Sequence, residues 1–568
     1  MRAVVASFFD RLASASVFVQ HGFVRPALIL IPHLIAFAIM IATEFTVTAM
    51  TAFLLAWGLL NFFWLALTRR PLLAGVLSLT MMTVLVLLSQ LKYHVLMMTA
   101  NFVDLMIVDT DNVSFLFTIF PALRWIVALS VIALVPVVVL AWRLDPFRVR
   151  RMTAFALAFA CVGWLIVLEM QFPMEPFEAF YGGNLVSSFA RSGVDAVSEL
   201  MTHGLMQSDA FAADHLQPIA ATCQPAAKAP HIILIHDESS FDIRMAPGIK
   251  VPEGYGAHFK SFDGKERNFL VEGNGGPSWF TEYNVLEGLS ARSFGRFAYF
   301  VTRIAAGRVN RGLPAALRHC GYRTFSLYPA LGAFMSARSF QATTGVQRFY
   351  DQHDLGAREL EPDSFFFNTV ARMIGEQHEH GPMFMFVYLA ANHFPWNYRY
   401  HPDLMPQWKD LGNVPPVDEY LRRQAISAED YSDFLARLKR EFPDDSFLLV
   451  RFGDHPPDFS PALIDPSLDD NGIAQRLMAY DPRYFTTYYA IDAINFTPVD
   501  VSSALDTIER PYLPLIVQEA AGLPLDPSFA EQKKILLRCK GLFYGCADGA
   551  EARHFNRMLI DAGLIKNL

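Results

Sequence analysis

An isoleucine-rich apolar run ends in acidic and hydroxyl residues within HIILIHDESS, residues 231–240. The run is too short to cross a membrane, and its length is typical of a buried parallel strand. In open α/β sheets, ligands bind just beyond the carboxyl ends of such strands. Glu238 is therefore the first candidate metal ligand or catalytic residue. A solvated acidic loop after a core strand would give the same local pattern.

A glycine-rich loop after a second predicted strand carries a candidate nucleophile, Ser278, in the sequence GNGGPS (273–278). The glycines permit a sharp backbone path, Pro277 favours entry into a first helical turn, and free amides at a helix start attract phosphate. A helix cap is the commoner role for serine at such a position. Thr281, one turn into the helix, is the alternative nucleophile.

Two further strand ends carry chemically useful side chains. His393 follows an apolar run at 383–390, where it could donate a proton to a phosphoryl oxygen or to a leaving alcohol. Asp454 and His455 follow the run at 446–452 as part of GDH. An adjacent Asp and His at a strand end indicates a metal site, although a purely structural turn gives this pattern about as often.

Four of these residues form one donor set: Glu238, Ser278, Asp454 and His455. Two carboxylates, one imidazole and one hydroxyl suit a single Zn²⁺ or Mn²⁺ ion. A serine hydroxyl is a poor nucleophile at neutral pH, and a bound cation would lower its pKa and neutralise an incoming phosphate. The set therefore predicts metal-assisted attack on a phosphate ester.

These residues need a sheet that brings strand ends together, and residues 231–568 have the required pattern. Predicted strands are 231–236, 268–272, 322–328, 383–390, 446–452 and 485–491, and predicted helices are 308–320, 364–377, 427–442, 500–520 and 551–564. Alternation of this kind predicts an α/β domain with a mainly parallel sheet covered on both faces.

Residues 1–171 have a different composition, with long apolar runs. Five segments approach or exceed the length needed to cross a bilayer: 24–43, 47–68, 72–91, 122–142 and 153–171. With a cytoplasmic N-terminus, the opposite loops hold mainly Glu44, Lys92, Asp104, Asp109 and Asp111, and the cytoplasmic side collects most basic residues: Arg2, Arg11, Arg25, Arg69, Arg70, Arg143, Arg148, Arg150 and Arg151. The distribution predicts a cytoplasmic N-terminus and, after five crossings, an extracytoplasmic C-terminal part.

The chain of 568 residues, 53% hydrophobic, thus divides into a transmembrane domain (1–171), a juxtamembrane connector (172–230) and a catalytic domain (231–568). The connector includes a candidate interfacial helix from Leu185 to His203, and the segment 91–106 is a second candidate. A net charge of -8 without a basic patch makes nucleic acid an unlikely partner.

The order of these motifs resembles the membrane-bound branch of the alkaline phosphatase and sulfatase superfamily. That branch includes lipoteichoic acid synthase, the periplasmic glucan phosphoglycerol transferase and lipid A phosphoethanolamine transferase. The resemblance implies a sulfatase-like sandwich behind five membrane helices. It also implies Ser278 as nucleophile, one metal ion on Glu238, Ser278, Asp454 and His455, and a substrate-binding His393 in NHFP that assists proton transfer.

Other parts of the resemblance concern the substrate and the membrane. Lys92 and Asp104 resemble a juxtamembrane pair of the family, and Arg338 resembles a substrate-phosphate arginine with a shift in register. The family generally has Thr where this chain has Ser278. A sulfatase proper needs Cys or Ser followed by x-Pro-x-Arg, which is absent from the glycine loop, so sulfate ester hydrolysis is disfavoured.

The implied activity moves a phosphoglycerol or phosphoethanolamine head group from a membrane phospholipid to a glycan or lipid acceptor through a phosphoserine. The implied location is the bacterial inner membrane, with the catalytic domain in the periplasm. Two alternatives stay open: a phosphodiesterase or phosphatase of the same fold, and a non-enzymatic membrane protein with a degenerate domain. The second alternative predicts an incomplete ligand set.

Four cysteines of the C-terminal part would face an oxidising compartment, where disulfides persist. Cys539 and Cys546, close in sequence, are the favoured pair, and pairing Cys223 with Cys320 then follows by elimination. Four cysteines allow three connectivities.

Overall fold

The structure, a computed structural model, describes residues 24–96, 98–108, 110–174, 178, 182–216, 223, 229–358 and 360–568. The chain forms two compact units, Met1–Thr202 and His203–Leu568, called here the N-terminal and C-terminal units. The domain bounds at 171 and 230 stay a prediction. Arg2 and Arg11, used in the orientation argument, lie outside the described residues.

The described part of the N-terminal unit is helical. Its helices are α1 (Val24–Thr43), α2 (Val47–Thr68), α3 (Pro71–Leu96), α4 (Phe102–Met106), α5 (Thr110–Ile119), α6 (Ala122–Leu144), α7 (Arg151–Gln171) and α8 (Leu185–His203), the last of which ends at the border of the unit. Among the described residues, four helices are long and apolar enough to cross a membrane: α2, α3, α6 and α7. The apolar part of α1, Ala27–Thr43, is shorter, so the fifth crossing stays a prediction.

Charged residues near the ends of these helices are paired. Lys92 Nζ lies 2.7 Å from Asp104 Oδ2, and Asp104 also completes the capping box of α4 with Asn101. The segment 91–106 is therefore the end of α3, a break and a short helix, and not one continuous interfacial helix. At the start of α8, the Val186 amide donates to Glu44 at 3.1 Å.

The C-terminal unit is built on an eight-stranded sheet in the order β4-β3-β5-β1-β6-β7-β2-β8. The strands are β1 (His231–Asp237), β2 (Arg267–Leu270), β3 (Arg323–Leu327), β4 (Arg348–Tyr350), β5 (Met383–Tyr388), β6 (Phe447–Gly453), β7 (Thr486–Ile494) and β8 (Thr507–Glu509). Every pairing is parallel except those that β7 makes with β6 and β2. The predicted mainly parallel sheet is confirmed, and all six predicted strands form close to their predicted bounds.

Helices of the C-terminal unit connect and cover the strands. They are α9 (Ser278–Glu287), α10 (Val301–Ala305), α11 (Leu313–His319), α12 (Ala337–Thr344), α13 (Gln352–Leu355), α14 (Asp363–Gln377), α15 (Pro415–Glu441), α16 (Ser460–Ile464), α17 (Asp470–Met478), α18 (Leu513–Ala520), α19 (Pro527–Arg538) and α20 (Ala550–Asp561). Short 3₁₀ helices are Ile243–Met245, Tyr255–Phe259, Ala291–Phe300, Phe334–Ser336, His378–His380, Pro482–Tyr484, Arg510–Tyr512 and Cys546–Gly549.

Three predicted helices have the wrong bounds. The helix predicted at 308–320 begins only at Leu313. The helix predicted at 500–520 is wrong over its first half, where β8 forms, because Pro511 and Pro514 are poor interior residues and helix α18 begins only at Leu513. The helix predicted at 427–442 begins much earlier, at Pro415, a residue type that fits a first helical turn. Its N-terminal half buries Arg422 and Arg423, whose charges conceal the helical pattern in the sequence.

The central strands are continuous apolar runs in the sequence because they lie in the core. Strands β1, β5 and β6 are buried along their whole length, because helices pack on the sheet. Helices α14 and α15 contribute to the same apolar cluster as the three strands, and Phe367 of α14 stacks on Phe434 of α15 with ring centroids 4.6 Å apart. This packing fixes the carboxyl ends of β1, β5 and β6 beside one another.

Both disulfides favoured from the sequence are confirmed. Cys539 pairs with Cys546, and Cys223 pairs with Cys320. Of the five cysteines, Cys161 in α7 is free.

Candidate metal and nucleophile site

The register of the sheet brings two acidic residues together. Asp237 of β1 lies opposite Gly453 of β6, so the next residues, Glu238 and Asp454, leave the sheet at the same edge. A Cβ on Gly453 would collide with the carbonyl oxygen of Ser240, which explains why this position is glycine. Parallel pairing thus creates the site directly from the two strand ends.

The glycine loop brings Ser278 to the same place. Gly275 and Gly276 have φ values of 65° and 122°, which favour glycine, and the Gly275 amide donates to the Pro456 carbonyl at 2.9 Å. Helix α9 begins at Ser278 directly after Pro277. The Ser278 Oγ lies 3.2 Å from Glu238 Oε2 and 3.2 Å from His455 Nε2. The predicted alternative of a helix-capping serine does not match these contacts.

Hydrogen bonds hold Glu238 in a defined position. Its Oε1 accepts from Ser239 Oγ at 2.8 Å, and its Oε2 accepts from Tyr388 Oη at 3.1 Å as well as from Ser278. Burial, with the charges of Glu238 and Asp454, raises the pKa of Tyr388 well above its ordinary range. The phenol therefore stays protonated and donates to the carboxylate.

Asp454 is anchored through one oxygen only. Its Oδ1 accepts from the backbone amides of Ser239 at 2.7 Å and His455 at 2.8 Å. Burial alone would raise the pKa of Asp454, but the neighbouring imidazoles of His455 and His236 hold it below its ordinary value. The side chain is therefore a carboxylate at neutral pH, with Oδ2 directed into the site.

The donor atoms fit a divalent cation. The buried Asp454 Oδ2 has no hydrogen-bond partner among the described residues, and it lies 3.3 Å from His455 Nε2. That nitrogen is 3.6 Å from Glu238 Oε1, while the other ring nitrogen of His455 lies 3.0 Å from the Pro456 carbonyl oxygen. A cation would satisfy the lone pairs of these carboxylate oxygens and of the imidazole nitrogen. Carboxylate and imidazole ligands are typical of Zn²⁺ and Mn²⁺ sites.

Sequence reasoning missed one residue of this cluster, His236. Its Nε2 lies 3.2 Å from Asp454 Oδ2, and ligand atoms of His236, Glu238 and Asp454 all lie within 4.8 Å of one another. The available signal was its position at the end of the predicted strand 231–236, two residues before Glu238. The apolar run concealed that signal because His236 sits inside it.

His393 is positioned by two buried features. It follows β5, and the fully buried Arg423 of α15 donates to its carbonyl oxygen at 2.7 Å and to that of Pro395 at 2.9 Å. The half-buried imidazole stacks on Phe394 and contacts the Phe394 carbonyl through Nδ1 at 2.7 Å. The structure thus fixes the backbone of this loop and leaves Nε2 of His393 outside those contacts.

The two remaining candidates make other contacts. The Thr281 hydroxyl is buried and donates to the Asp454 carbonyl at 2.9 Å, which makes it a support of the Asp454 turn. Arg338 lies on α12, where its guanidinium pairs with Asp351 at 2.7 Å and Asp354 at 2.8 Å. A substrate role for Arg338 stays a prediction.

Comparison with known proteins gives the class of this domain. Residues 281–488 match the model of the Sulfatase family. The C-terminal unit therefore contains a sulfatase-family domain of the alkaline phosphatase superfamily, and the superfamily predicted from the motifs is confirmed. Glu238 and Ser278 precede the matched range, while His393, Asp454 and His455 lie inside it. No curated protein matches the chain in sequence.

Solved structures with similar folds include three transferases or synthases. A phosphoglycerol transferase, GacH, from Streptococcus pyogenes, in complex with sn-glycerol-1-phosphate, is 14% identical and covers 60% of this chain and 87% of its own at a TM-score of 0.46. The lipoteichoic acid synthase LtaP from Listeria monocytogenes is 14% identical, with coverages of 59% and 79% and a TM-score of 0.41. The lipooligosaccharide phosphoethanolamine transferase A from Neisseria meningitidis, an integral membrane protein, is 12% identical, with coverages of 83% and 95% and a TM-score of 0.37.

Proposed function

We propose that this protein transfers a phosphoalcohol head group, phosphoglycerol or phosphoethanolamine, from a membrane phospholipid to a glycan or lipid hydroxyl. The observation that carries the proposal is the position of Ser278 Oγ, 3.2 Å from both Glu238 and His455 at the start of a helix. A hydroxyl so placed suits nucleophilic attack on phosphorus, and free amides at the helix start favour the phosphate charge.

The residues that would hold one divalent cation, Zn²⁺ or Mn²⁺, are Glu238, Ser278, Asp454 and His455. When bound, such an ion lowers the pKa of the serine hydroxyl and neutralises charge on the phosphate. The protein supports these ligands through Tyr388 and through the two amides that hold Asp454 Oδ1. Ligand orientation by such outer contacts is typical of metal enzymes.

In the first half-reaction, Ser278 Oγ forms a bond to the phosphorus of the phospholipid head group. Its hydroxyl proton passes to Glu238 Oε2, to which it already donates at 3.2 Å. The bond between phosphorus and the diacylglycerol oxygen breaks, and His393 gives a proton to the departing alkoxide. Diacylglycerol leaves, and the head group stays on Ser278 as a phosphodiester.

In the second half-reaction, the acceptor hydroxyl attacks the same phosphorus. His393 takes the proton of that hydroxyl, the bond from phosphorus to Ser278 Oγ breaks, and Ser278 Oγ regains its proton from Glu238. The cycle leaves both residues in their starting protonation states, as microscopic reversibility requires. The buried anchoring of the His393 loop by Arg423 supports this role, since acid–base catalysis needs a fixed donor.

The four long apolar helices support a phospholipid substrate. We further propose that α1 completes five crossings, with the N-terminus in the cytoplasm and the C-terminal unit in the periplasm of a bacterial inner membrane. A hydrolase of the same fold is the second candidate: water would replace the acceptor hydroxyl in the second half-reaction. The open edge of the site at Ser278, which is not fully buried, is compatible with either acceptor.

The test uses full-length protein in detergent with Mn²⁺ or Zn²⁺ and phosphatidylglycerol or phosphatidylethanolamine carrying a labelled head group. We expect release of diacylglycerol and label on an added glycan or lipid acceptor. The S278A variant should release no diacylglycerol, while S467A, at an exposed serine of the same unit, should match the wild type. Label recovered only as free head-group phosphate would favour the hydrolase, and turnover by S278A would refute the nucleophile.

A further inference from the structure

His236 lies in the sheet immediately behind the proposed metal ligands. It belongs to β1 and lies two residues before Glu238, which follows the last residue of the strand. The side chain is 0% exposed. An imidazole buried to this degree needs partners for its nitrogens, because a buried polar atom without one costs free energy.

One nitrogen of His236 has a close polar neighbour, the Asp454 carboxylate. Neither Nδ1 nor Nε2 makes a hydrogen bond among the described residues, and the same holds for Asp454 Oδ2. Nevertheless, Nε2 and this Oδ2 lie 3.2 Å apart. These two buried atoms form an ion pair when His236 is protonated. When His236 is neutral and Nε2 carries no proton, two lone pairs face each other, and a shared cation would satisfy both.

The distances to the other carboxylate agree with this interpretation. Ligand atoms of His236, Glu238 and Asp454 lie within 4.8 Å of one another. Ligands that each stand about 2.0–2.3 Å from a shared ion are at most about 4.6 Å apart. The three groups therefore need only a small contraction to bind the same ion.

The imidazole ring is held in a fixed plane. His236 stacks on Tyr388 with ring centroids 3.8 Å apart and an interplanar angle of 16°, and Phe452 packs against it at 5.3 Å. Tyr388 also donates to Glu238 Oε2 at 3.1 Å. One aromatic residue thus orients both His236 and Glu238, as outer contacts do for metal ligands.

We infer that His236 Nε2 is a further ligand of the divalent cation. The ion would then carry two imidazoles, His236 from strand β1 and His455 from the turn after β6. This inference rests on the proposed metal centre, and it adds a ligand that the four-residue set of the sequence motifs lacks. It also assigns a role to a histidine that would otherwise be an unfavourable residue inside an apolar strand.

The test counts coordinated imidazoles on the full-length protein loaded with Mn²⁺. The protein is produced with ¹⁵N-labelled histidine, and electron–nuclear double resonance then detects the histidine nitrogens bound to the ion. Two coordinated histidines are expected in the wild type. A single coordinated histidine would overturn the inference while leaving the four-residue metal centre intact, and absence of bound Mn²⁺ would overturn both.

Variants identify the two histidines. H236Q and H455Q should each lower the count by one, and H236Q should weaken Mn²⁺ binding at least about tenfold. The control is H231Q, at the buried histidine that begins the same strand, which should keep two coordinated histidines. A count of two in H236Q would assign the second imidazole elsewhere and overturn the inference; since the wild-type count stands alone, poor folding of a variant does not remove the test.

Discussion

The two faces of strand β1 at its carboxyl end show how similar residues serve different purposes. On one face, Asp237 accepts from His258 at 3.1 Å and from Tyr488 at 2.5 Å. On the other face, Glu238 contacts Ser278, and the nearby Asp454 Oδ2 accepts no hydrogen bond from the described residues and lies close to the imidazoles of His236 and His455. Asp237 thus lies on a face whose hydrogen bonds are made within the protein, called here the closed face. Glu238 lies on the face of the proposed cation site, called here the open face.

The electrostatics of the closed face agree with a structural role. Burial would raise the pKa of Asp237, but the hydrogen bond and charge of His258, the Tyr488 hydroxyl and Arg451 lower it below its ordinary value. Asp237 meets His258 and Tyr488, and the terminal nitrogens of Arg451 meet the His258 carbonyl and Asp492. Proximity to other ligating atoms, and not acidity as such, distinguishes the face arranged for a cation: ligand atoms of His236, Glu238 and Asp454 lie within 4.8 Å of one another.

The largest expected effect on the rate of head-group transfer is that of replacing Ser278, which contacts Glu238 on the open face. We predict that S278A lowers head-group transfer at least about 10⁴-fold, because loss of a nucleophile removes the covalent path. S278T should retain part of the activity, since it keeps a hydroxyl. The rates are measured as diacylglycerol release, and circular dichroism and the melting temperature should show an unchanged fold for S278A.

Removal of the metal ion is expected to have the next largest effect, and only through the residues of the open face. Chelation is expected to abolish transfer, and Mn²⁺ or Zn²⁺ should restore it and raise the melting temperature, since a ligand of the native state stabilises it. The D454N variant should lack this temperature shift because it loses a carboxylate ligand. An equal shift in D454N would contradict the placement of the cation on the open face.

Separate amide substitutions of the two neighbouring acids, Asp237 and Glu238, are expected to have different effects. We predict that D237N lowers the free energy of unfolding by about 1–3 kcal/mol, because a neutral amide replaces the carboxylate that His258, Tyr488 and Arg451 surround in this buried cluster. Mn²⁺ binding should persist. E238Q should show the opposite pattern, with a small change in stability and strongly weakened Mn²⁺ binding. Thermal unfolding and metal titration of both variants distinguish the two roles, and similar Mn²⁺ affinities of D237N and E238Q would contradict them.

The last prediction concerns the pH dependence of stability and the buried Glu282 of helix α9. Burial raises the pKa of Glu282 from an ordinary 4.5 to about 8, while the amide of Gln341 donates to it at 2.8 Å. The native state therefore holds this proton more tightly than the unfolded chain. The stability it contributes is fully present below pH 4.5 and is lost as the pH rises through about 8.

The E282Q variant, which resembles the protonated acid, should remove that pH dependence. We expect the melting temperature of the wild type to fall relative to E282Q between about pH 5 and pH 9. E376Q, at an exposed acid of α14, serves as the control and should follow the wild type. A wild-type curve parallel to that of E282Q would show that Glu282 does not titrate in this range.

The sequence predicted the strand ends well because each one is an apolar run followed by a polar residue. Glu238, Asp454 and His455 all follow such runs, and parallel pairing then brings them together. Ser278 was predicted as the nucleophile from the glycines that precede it, because they permit a sharp loop before the helix. His236 could not be found in this way, since a single histidine inside a buried strand reads as part of the core.

Other parts of the fold depended on contacts that the sequence does not display. The early start of α15 is stabilised by buried Arg422 and Arg423, whose partners are carbonyl groups of the His393 loop and Glu419. The short strands β4 and β8 have three residues each, too few to give an alternating pattern. Arg338 shows that a basic residue near a motif can be satisfied by local carboxylates.

The proposed mechanism is tested most directly by detection of the covalent intermediate on Ser278. Wild-type protein is incubated with metal and a phospholipid bearing an isotope-labelled head group, quenched without acceptor, and mapped by fragmentation mass spectrometry. The proposed mechanism predicts the mass of one phosphoalcohol group on Ser278. The same mass on Thr281 or another residue, or rapid transfer without any protein adduct, would contradict it.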